Sequence, residues 1–316
     1  MFRKVKNVIT SGERFLITTH VDPDGDAIGS CFALYWALSA LKKNCSVYMR
    51  DHIPYMYTFL PGPEKVFHRE IPEGDFDAIF ALDCGNLFRV GNGHEGLSEK
   101  GFLINVDHHA TNEAFGTVNI IDQDSSSTAA ILYKLFKSMK VSLTFNVAVN
   151  LYTAIFTDTG SFRYPNTNSQ AFLICEEMTR YGVSPSHVAQ MVHENHPKER
   201  FLLLGEVLAT LETYDHDTVA MALVTQEMYS KTNTSKEYTE GFVEHIKEIR
   251  GIDVAILIRE VTADQCKVSM RSKGHTDVAS ICNIFGGGGH RNAAGCNMEG
   301  TVFQARTRLK EALKIA

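Results

Sequence analysis

The chain reads as an α/β protein. Its N-terminal domain is a doubly wound, mainly parallel sheet, joined by a helical connector to a smaller α+β C-terminal domain. Three observations predict this. Short apolar runs alternate with segments of helical periodicity through the first half of the chain. Each run ends in a polar cluster, as the buried strands of a parallel sheet do. A length of 316 residues also exceeds one small core, since a domain takes about 150 residues. The expected boundaries are 1–183, 184–214 and 215–316.

In chain order, FLITTH (15–20) predicts a strand, and DAIGSCFALYWALSALKK then repeats apolar residues at helical spacing. SVYMR (46–50), DAIFALD (77–83) and FLINVD (102–107) predict further strands. SSSTAAILYKLFKSM opens on Ser and Thr before an apolar stripe, which predicts a capped helix. NVAVNLYTAIFTDTG predicts a helix running into a polar turn. From Ser184 to Tyr214 the pattern is helical, broken at Pro197 and without a strand-like run. TVAMALVT (218–225), DVAILIREV (253–261) and CKVSMRS (266–272) predict the strands of the second domain, followed by a glycine run and a last helix. In such α/β sheets ligands bind at the carboxyl ends of the strands, where the strand order reverses.

Hydrophobic residues at 44% and charged residues at 22% are those of an ordinary globular protein. The 31 basic and 37 acidic side chains leave a formal net charge of −6, which disfavours long duplex nucleic acid held through its phosphates. The acid excess falls in the first half: residues 1–197 hold 16 basic and 21 acidic side chains. Seven cysteines without a CxxC pair indicate neither a disulfide framework nor a zinc ribbon, but reduced thiols. The first residues lack the apolar core of a secretory signal, and the apolar stretch CFALYWALSAL is far short of the roughly 20 residues that span a bilayer. The expectation is a soluble, cytoplasmic protein with no membrane partner.

His20, Asp22, Asp24 and Asp26 fall within seven residues, between the first strand and its helix. One Asp there is an ordinary helix cap. Four ionisable groups together repel one another unless something positive lies among them, so turn chemistry and a bound cation both stand on this segment alone. Asp83 then ends a second apolar run, Asp107, His108 and His109 end a third, and Asp158 follows a fourth. A lone Asp after a strand is more often a cap. Four such clusters at corresponding strand ends converge on one crevice. Arg89 either reaches a substrate phosphate or pairs with an acid. Gly286 to Gly289 read as a plain flexible loop or as amides approaching a phosphate, with NAAG beginning a helix against them.

The blocks HVDPDGDAIGS, ALDCG, VDHH and FTDTGSF resemble, in order and spacing, the four motifs of the DHH phosphoesterase superfamily. FGGGGHRNAAG (285–295), with SMRS (269–272) ahead of it, resembles the glycine-rich motif of the DHH-associated C-terminal domain. Length and domain order are similar to the bacterial oligoribonuclease A group. The resemblance implies two divalent metal ions, one held by His20, Asp24 and Asp83, the other by Asp26, Asp83, His108 and Asp158. Carboxylates with one imidazole per ion suit Mn²⁺ best, with Mg²⁺ or Co²⁺ as lesser candidates. It further implies that Asp107 orients a histidine from behind, and that His109 donates to a phosphate oxygen or the leaving group. His290, Arg271 and the amides of Gly287, Gly288 and Gly289 would hold substrate, with Arg89 a further candidate.

The implied activity is metal-dependent hydrolysis of very short single-stranded RNA or DNA, 5′→3′, releasing nucleoside monophosphates. 3′-Phosphoadenosine 5′-phosphate and linear or cyclic dinucleotides are further substrates of such enzymes, and a homodimer is a family expectation. A family II inorganic pyrophosphatase shares the first four motifs but lacks the GGGGH segment. A nucleotide-sensing module without turnover is disfavoured because all six metal positions hold competent ligands.

Overall fold

The computed structural model describes residues 2–91 and 93–315. The chain divides into two compact units, Met1–Asn195 and His196–Ala316. The first contains α1 (Arg3–Ser11), β1 (Arg14–Thr18), α2 (Gly25–Ala40), β2 (Asn44–Tyr48), β3 (Val66–Phe67), β4 (Ala78–Leu82), α3 (Leu97–Lys100), β5 (Phe102–Asp107) and β6 (Val118–Ile121). It continues through α4 (Thr128–Met139), α5 (Phe145–Asp158), α6 (Ser169–Arg180) and α7 (Pro185–His193). No helix among the described residues is long and apolar enough to cross a membrane.

Its six strands form one parallel sheet in the order β3-β2-β1-β4-β5-β6. The order reverses between β1 and β4, which opens the crevice expected of a doubly wound sheet. Strand residues are buried on both faces, which explains their continuous apolar runs. Phe15, Ile17, Phe80, Leu82, Ile104 and Val106 pack against helices in the large core. Leu16, Ile79, Ala81 and Leu103 face a smaller core closed by Phe76, Val90 and Leu97, from short turns rather than long helices.

Two glycines set how α2 meets α5. A Cβ on Gly25 would lie 2.3 Å from Thr157 Oγ1, and one on Gly29 would lie 2.6 Å from the Asn150 carbonyl oxygen. The helices therefore cross antiparallel at close backbone approach. The first turn of α2, carrying Asp26, is brought to the last residue of α5, Asp158.

The second unit contains α8 (Lys198–Leu208), β7 (Glu212–Tyr214), β8 (Val219–Val224), α9 (Gln226–Thr232), α10 (Phe242–Lys247), β9 (Val254–Thr262) and β10 (Gln265–Ser272). α11 (Val278–Ile284), β11 (Gly288–His290), β12 (Ala293–Glu299) and α12 (Val302–Leu313) complete it. Its mixed sheet runs β11-β12-β10-β9-β8-β7, with only β8 and β9 parallel. One face packs on α8, α9 and α10, the other on α11 and α12.

Two sequence expectations need correction here. The stretch from Ser184 to Tyr214 does contain a strand, β7, too short to show a periodicity of its own. NAAG does not begin a helix. Its alanines belong to β12, hydrogen-bonded to β10 and to the glycine segment β11, and the partner strands override the small-residue signal.

Gly29→Val is expected to lower unfolding free energy by about 1–3 kcal/mol, because the added atoms meet the rigid backbone of α5. Urea denaturation of the metal-free protein measures it.

Candidate metal centre

His20 and Asp83 emerge from the carboxyl ends of β1 and β4, on either side of the point where strand order reverses. Asp107 ends β5, and His108 and His109 follow it. Asp24 is the N-cap of α2 and Asp26 lies in that helix's first turn. Asp158 differs from the strand-end expectation: it is the last residue of α5. The apolar run before it serves a buried helix, and a helix end reaches the same crevice.

Asp83 is the hinge of the arrangement. It is 2% exposed and holds φ at 53°, a left-handed conformation uncommon for a non-glycine residue. Its Oδ2 lies 3.5 Å from His20 Nε2 and its Oδ1 lies 3.7 Å from His108 Nε2. His20 Nε2 is also 4.0 Å from Asp24 Oδ2. His108 Nε2 is 3.9 Å from Asp26 Oδ2 and 3.5 Å from Asp158 Oδ2. His20, Asp24 and Asp83 therefore form one donor set, and Asp26, Asp83 and His108, with Asp158 beside it, form another. The two share Asp83.

The backs of these side chains are anchored. His20 Nδ1 lies 2.8 Å from the Val21 carbonyl oxygen and His108 Nδ1 lies 3.3 Å from that of Ser125. With a cation bound, a proton on each Nδ1 would donate there and leave the Nε2 lone pair for the ion. Asp24 Oδ1 accepts from the amides of Asp26 and Ala27, both at 3.0 Å, while its other oxygen turns to His20. Asp24 thus caps α2 with one oxygen and faces His20 with the other. Asp26 is a cap for a different helix: it accepts from the amides of Thr128 at 2.7 Å and Ala129 at 3.1 Å, opening α4. Asp22 is exposed in a left-handed turn and belongs to neither set.

The electrostatics favour a cation among these carboxylates. Burial, then the charges of Asp83, Asp158 and Asp24, push the Asp26 carboxyl well above its ordinary range. The Asp158 carboxyl is pushed up to about 6, by desolvation first and by Asp83 and Asp24 against the opposing charge of His108. Burial also acts on Asp83, but its hydrogen bond to His20 and the charges of His109 and His108 outweigh it, and its pKa is lowered. Hard carboxylate oxygens and imidazole, without a thiolate in either set, fit divalent cations of the Mn²⁺ or Mg²⁺ kind.

Asp107 is fully buried, and its Oδ1 lies 2.7 Å from His109 Nδ1. That contact, with the charges of Asp83, Asp107 and Asp158, overcomes burial and raises the His109 imidazole to about 9. Arg89 is exposed, on the helical turn Leu87–Val90, and its Nη2 comes within 3.3 Å of His20 Nδ1.

Within the second unit, Arg271 of β10 and His290 of β11 both lie opposite Ala293 of β12, so the three share one face of the sheet. Arg271 Nε donates to Glu244 Oε1 at 2.7 Å. The glycines before His290 are there for the hairpin. A Cβ on Gly287 would lie 2.2 Å from the Gly295 carbonyl oxygen, and Gly289 holds φ at +143° against β12. Gly288 pairs with Gly295 in the ladder. These amides follow the carboxyl end of α11, so a helix N-terminus adds nothing to them.

Several supporting residues escaped the sequence reading. Thr128 donates its hydroxyl to Asp83 Oδ1 at 3.0 Å. Asn112 donates to Asp107, and Glu244 holds Arg271. Asn166 donates to Asp158 Oδ2 at 3.0 Å and to the Ser126 carbonyl oxygen at 2.9 Å. Thr128 lies 45 residues from Asp83, a separation no local pattern signals.

Asn166→Ala is expected to weaken divalent-metal affinity about 10- to 100-fold by releasing Asp158, as loss of a ligand's supporting partner does. Asp83→Ala should abolish binding to both sets. Mn²⁺ titration by calorimetry measures both, with circular dichroism showing the fold retained.

Comparison with known proteins places this geometry. The profile of the DHH family, N-terminal domain, matches residues 14–155, and that of the DHHA1 domain matches residues 217–316. The bifunctional oligoribonuclease and PAP phosphatase NrnA of Thermus thermophilus is 34% identical over 301 residues, spanning 94% of this chain and 88% of that protein. Its Bacillus subtilis namesake is 24% identical over 289 residues, 90% of each chain. An exopolyphosphatase-related protein from Bacteroides fragilis superposes with a TM-score of 0.91 at 28% identity, covering 98% of this chain and 94% of that one. The chain belongs to the DHH family, with a DHHA1 domain after the first unit, and is a phosphoesterase of the hydrolase class.

Proposed function

We propose that this protein hydrolyses very short oligonucleotides, dinucleotides foremost, from the 5′ end to nucleoside monophosphates, and removes a phosphate from 3′-phosphoadenosine 5′-phosphate. The observation that carries the reading is the pair of donor sets sharing Asp83, one oxygen toward His20 and the other toward His108. The oligoribonuclease and PAP phosphatase activities named for the Thermus thermophilus and Bacillus subtilis proteins support the substrate class.

His20, Asp24 and Asp83 hold one divalent cation and Asp26, Asp83, His108 and Asp158 the other, with Mn²⁺ the best match to these ligands. Bound there, the ions supply Lewis-acid charge to the phosphoryl group. The chain's own groups do the rest. Asp107 fixes His109 through Nδ1, so the protonated ring carries its second proton at Nε2, for a phosphate oxygen or the leaving oxygen. Arg89, beside His20, neutralises a substrate phosphate. Arg271, His290 and the amides of Gly287, Gly288 and Gly289 are the substrate-binding groups of the second unit. Arg271 is turned for this by Glu244, which fixes one edge of the guanidinium.

Two results test this. With Mn²⁺, a product time course is expected to show a dinucleotide and 3′-phosphoadenosine 5′-phosphate consumed, and inorganic pyrophosphate and a long duplex left intact. Preferential hydrolysis of pyrophosphate refutes the assignment. Asp107→Asn should lower kcat about 10²- to 10⁴-fold, the usual contribution of a positioned acid, while Mn²⁺ affinity changes little.

A further inference from the structure

Phe88 is 73% exposed, the most exposed large apolar side chain among the described residues. It stands on the helical turn Leu87–Val90, five residues after Asp83. A 3₁₀ turn has three residues per turn, so Leu87 and Val90 fall on one side. That side is taken by the smaller core, where Val90 is fully buried with Leu87 packed against it. Phe88 and Arg89 are left as the two solvent flanks of one ridge.

The ridge is held firmly. Asn86 Oδ1 caps it by accepting from the Arg89 amide at 3.2 Å, and Cys84 Sγ donates to the Asn86 carbonyl oxygen at 3.0 Å. The Val21 amide donates to the Arg89 carbonyl oxygen at 2.6 Å, tying the turn to the loop that carries His20. The His94 ring lies 5.0 Å from that of Phe88 between centroids, with the two planes inclined at 61°, and most of the Phe88 side chain stays open to solvent. Exposing a phenyl ring on this turn costs burial that Leu87 and Val90 show to be available one and two residues away.

We propose that Phe88 is the stacking platform for a nucleobase of the substrate, and so a specificity-determining residue for nucleotide over bare phosphate esters. This rests on the reading that short oligonucleotides are hydrolysed. The occupant follows from the chemistry of the ridge: an anion-seeking guanidinium beside a flat apolar ring matches the adjoining phosphate and base of one nucleotide. Among the exposed large apolar side chains, the next in the first unit are Phe145, Phe172 and Leu173, on α5 and α6.

The test compares wild type, Phe88→Ala and Phe88→Trp with Mn²⁺ on three dinucleotides: one intact, one lacking its 5′ base and one lacking its 3′ base. Phe88→Ala is expected to raise KM for the intact dinucleotide about 10- to 100-fold with kcat nearly unchanged, and Phe88→Trp to restore it. One of the two abasic substrates should be handled equally by wild type and Phe88→Ala, identifying which base stacks. Wild-type turnover of the intact dinucleotide with unchanged KM in Phe88→Ala overturns the stacking role alone. An equal penalty on both abasic substrates assigns Phe88 a merely structural part and also overturns it. Failure of wild type to hydrolyse the dinucleotide overturns the underlying functional reading together with this one.

Discussion

Crowding buried carboxylates into one crevice is the constraint on which the rest of the first unit depends. Asp26 and Asp83 are 1% and 2% exposed, and Asp158 faces the same imidazole as both. Removing one such charge from water costs several kcal/mol, and like charges at this range add to it. The fold meets part of that cost with its own donors. Two amides at the start of α4 bind Asp26, the Thr128 hydroxyl binds Asp83, and Asn166 binds Asp158. Burial and mutual repulsion still push the Asp26 and Asp158 carboxyls above their ordinary range, and a divalent cation between them would relieve it.

Much of the architecture can be understood as serving that crowding. Strand order reverses between β1 and β4, so His20 and Asp83 leave the sheet as neighbours. Gly25 and Gly29 let α2 approach α5 closely enough for Asp26 and Asp158 to share His108. Asp24 and Asp26 each accept helix-capping hydrogen bonds while facing the site, so the same residues start the helices and build the donor sets. A capping role and a ligand role are not rivals here, because a carboxylate has two oxygens.

This dual use also explains what the sequence could show. The apolar runs and their polar ends made the parallel sheet and the site residues on it legible, since strand ends are local features. Asp158 was legible as a site residue at the end of a helix, and only its grouping with the strand ends was inexact, because a buried helix and a buried strand are equally apolar over a few residues. Thr128, Asn166, Asn112 and Glu244 were not legible as supports. Their partners are side chains or carbonyls brought close only by the tertiary fold, and each residue type is ordinary at a turn or helix start. The glycines before His290 suggested a loop opening a helix. The close approach of β11 to β12, which only glycine tolerates at positions 287 and 289, leaves no trace in composition.

Two overlapping donor sets hinged on Asp83 are the central claim, and the positions of bound metal test it most directly. In crystals soaked with Mn²⁺, anomalous scattering is expected to show two peaks. One should lie among His20, Asp24 and Asp83, the other among Asp26, Asp83, His108 and Asp158, with Asp83 touching both. A single peak, or two peaks that do not share Asp83, would contradict it.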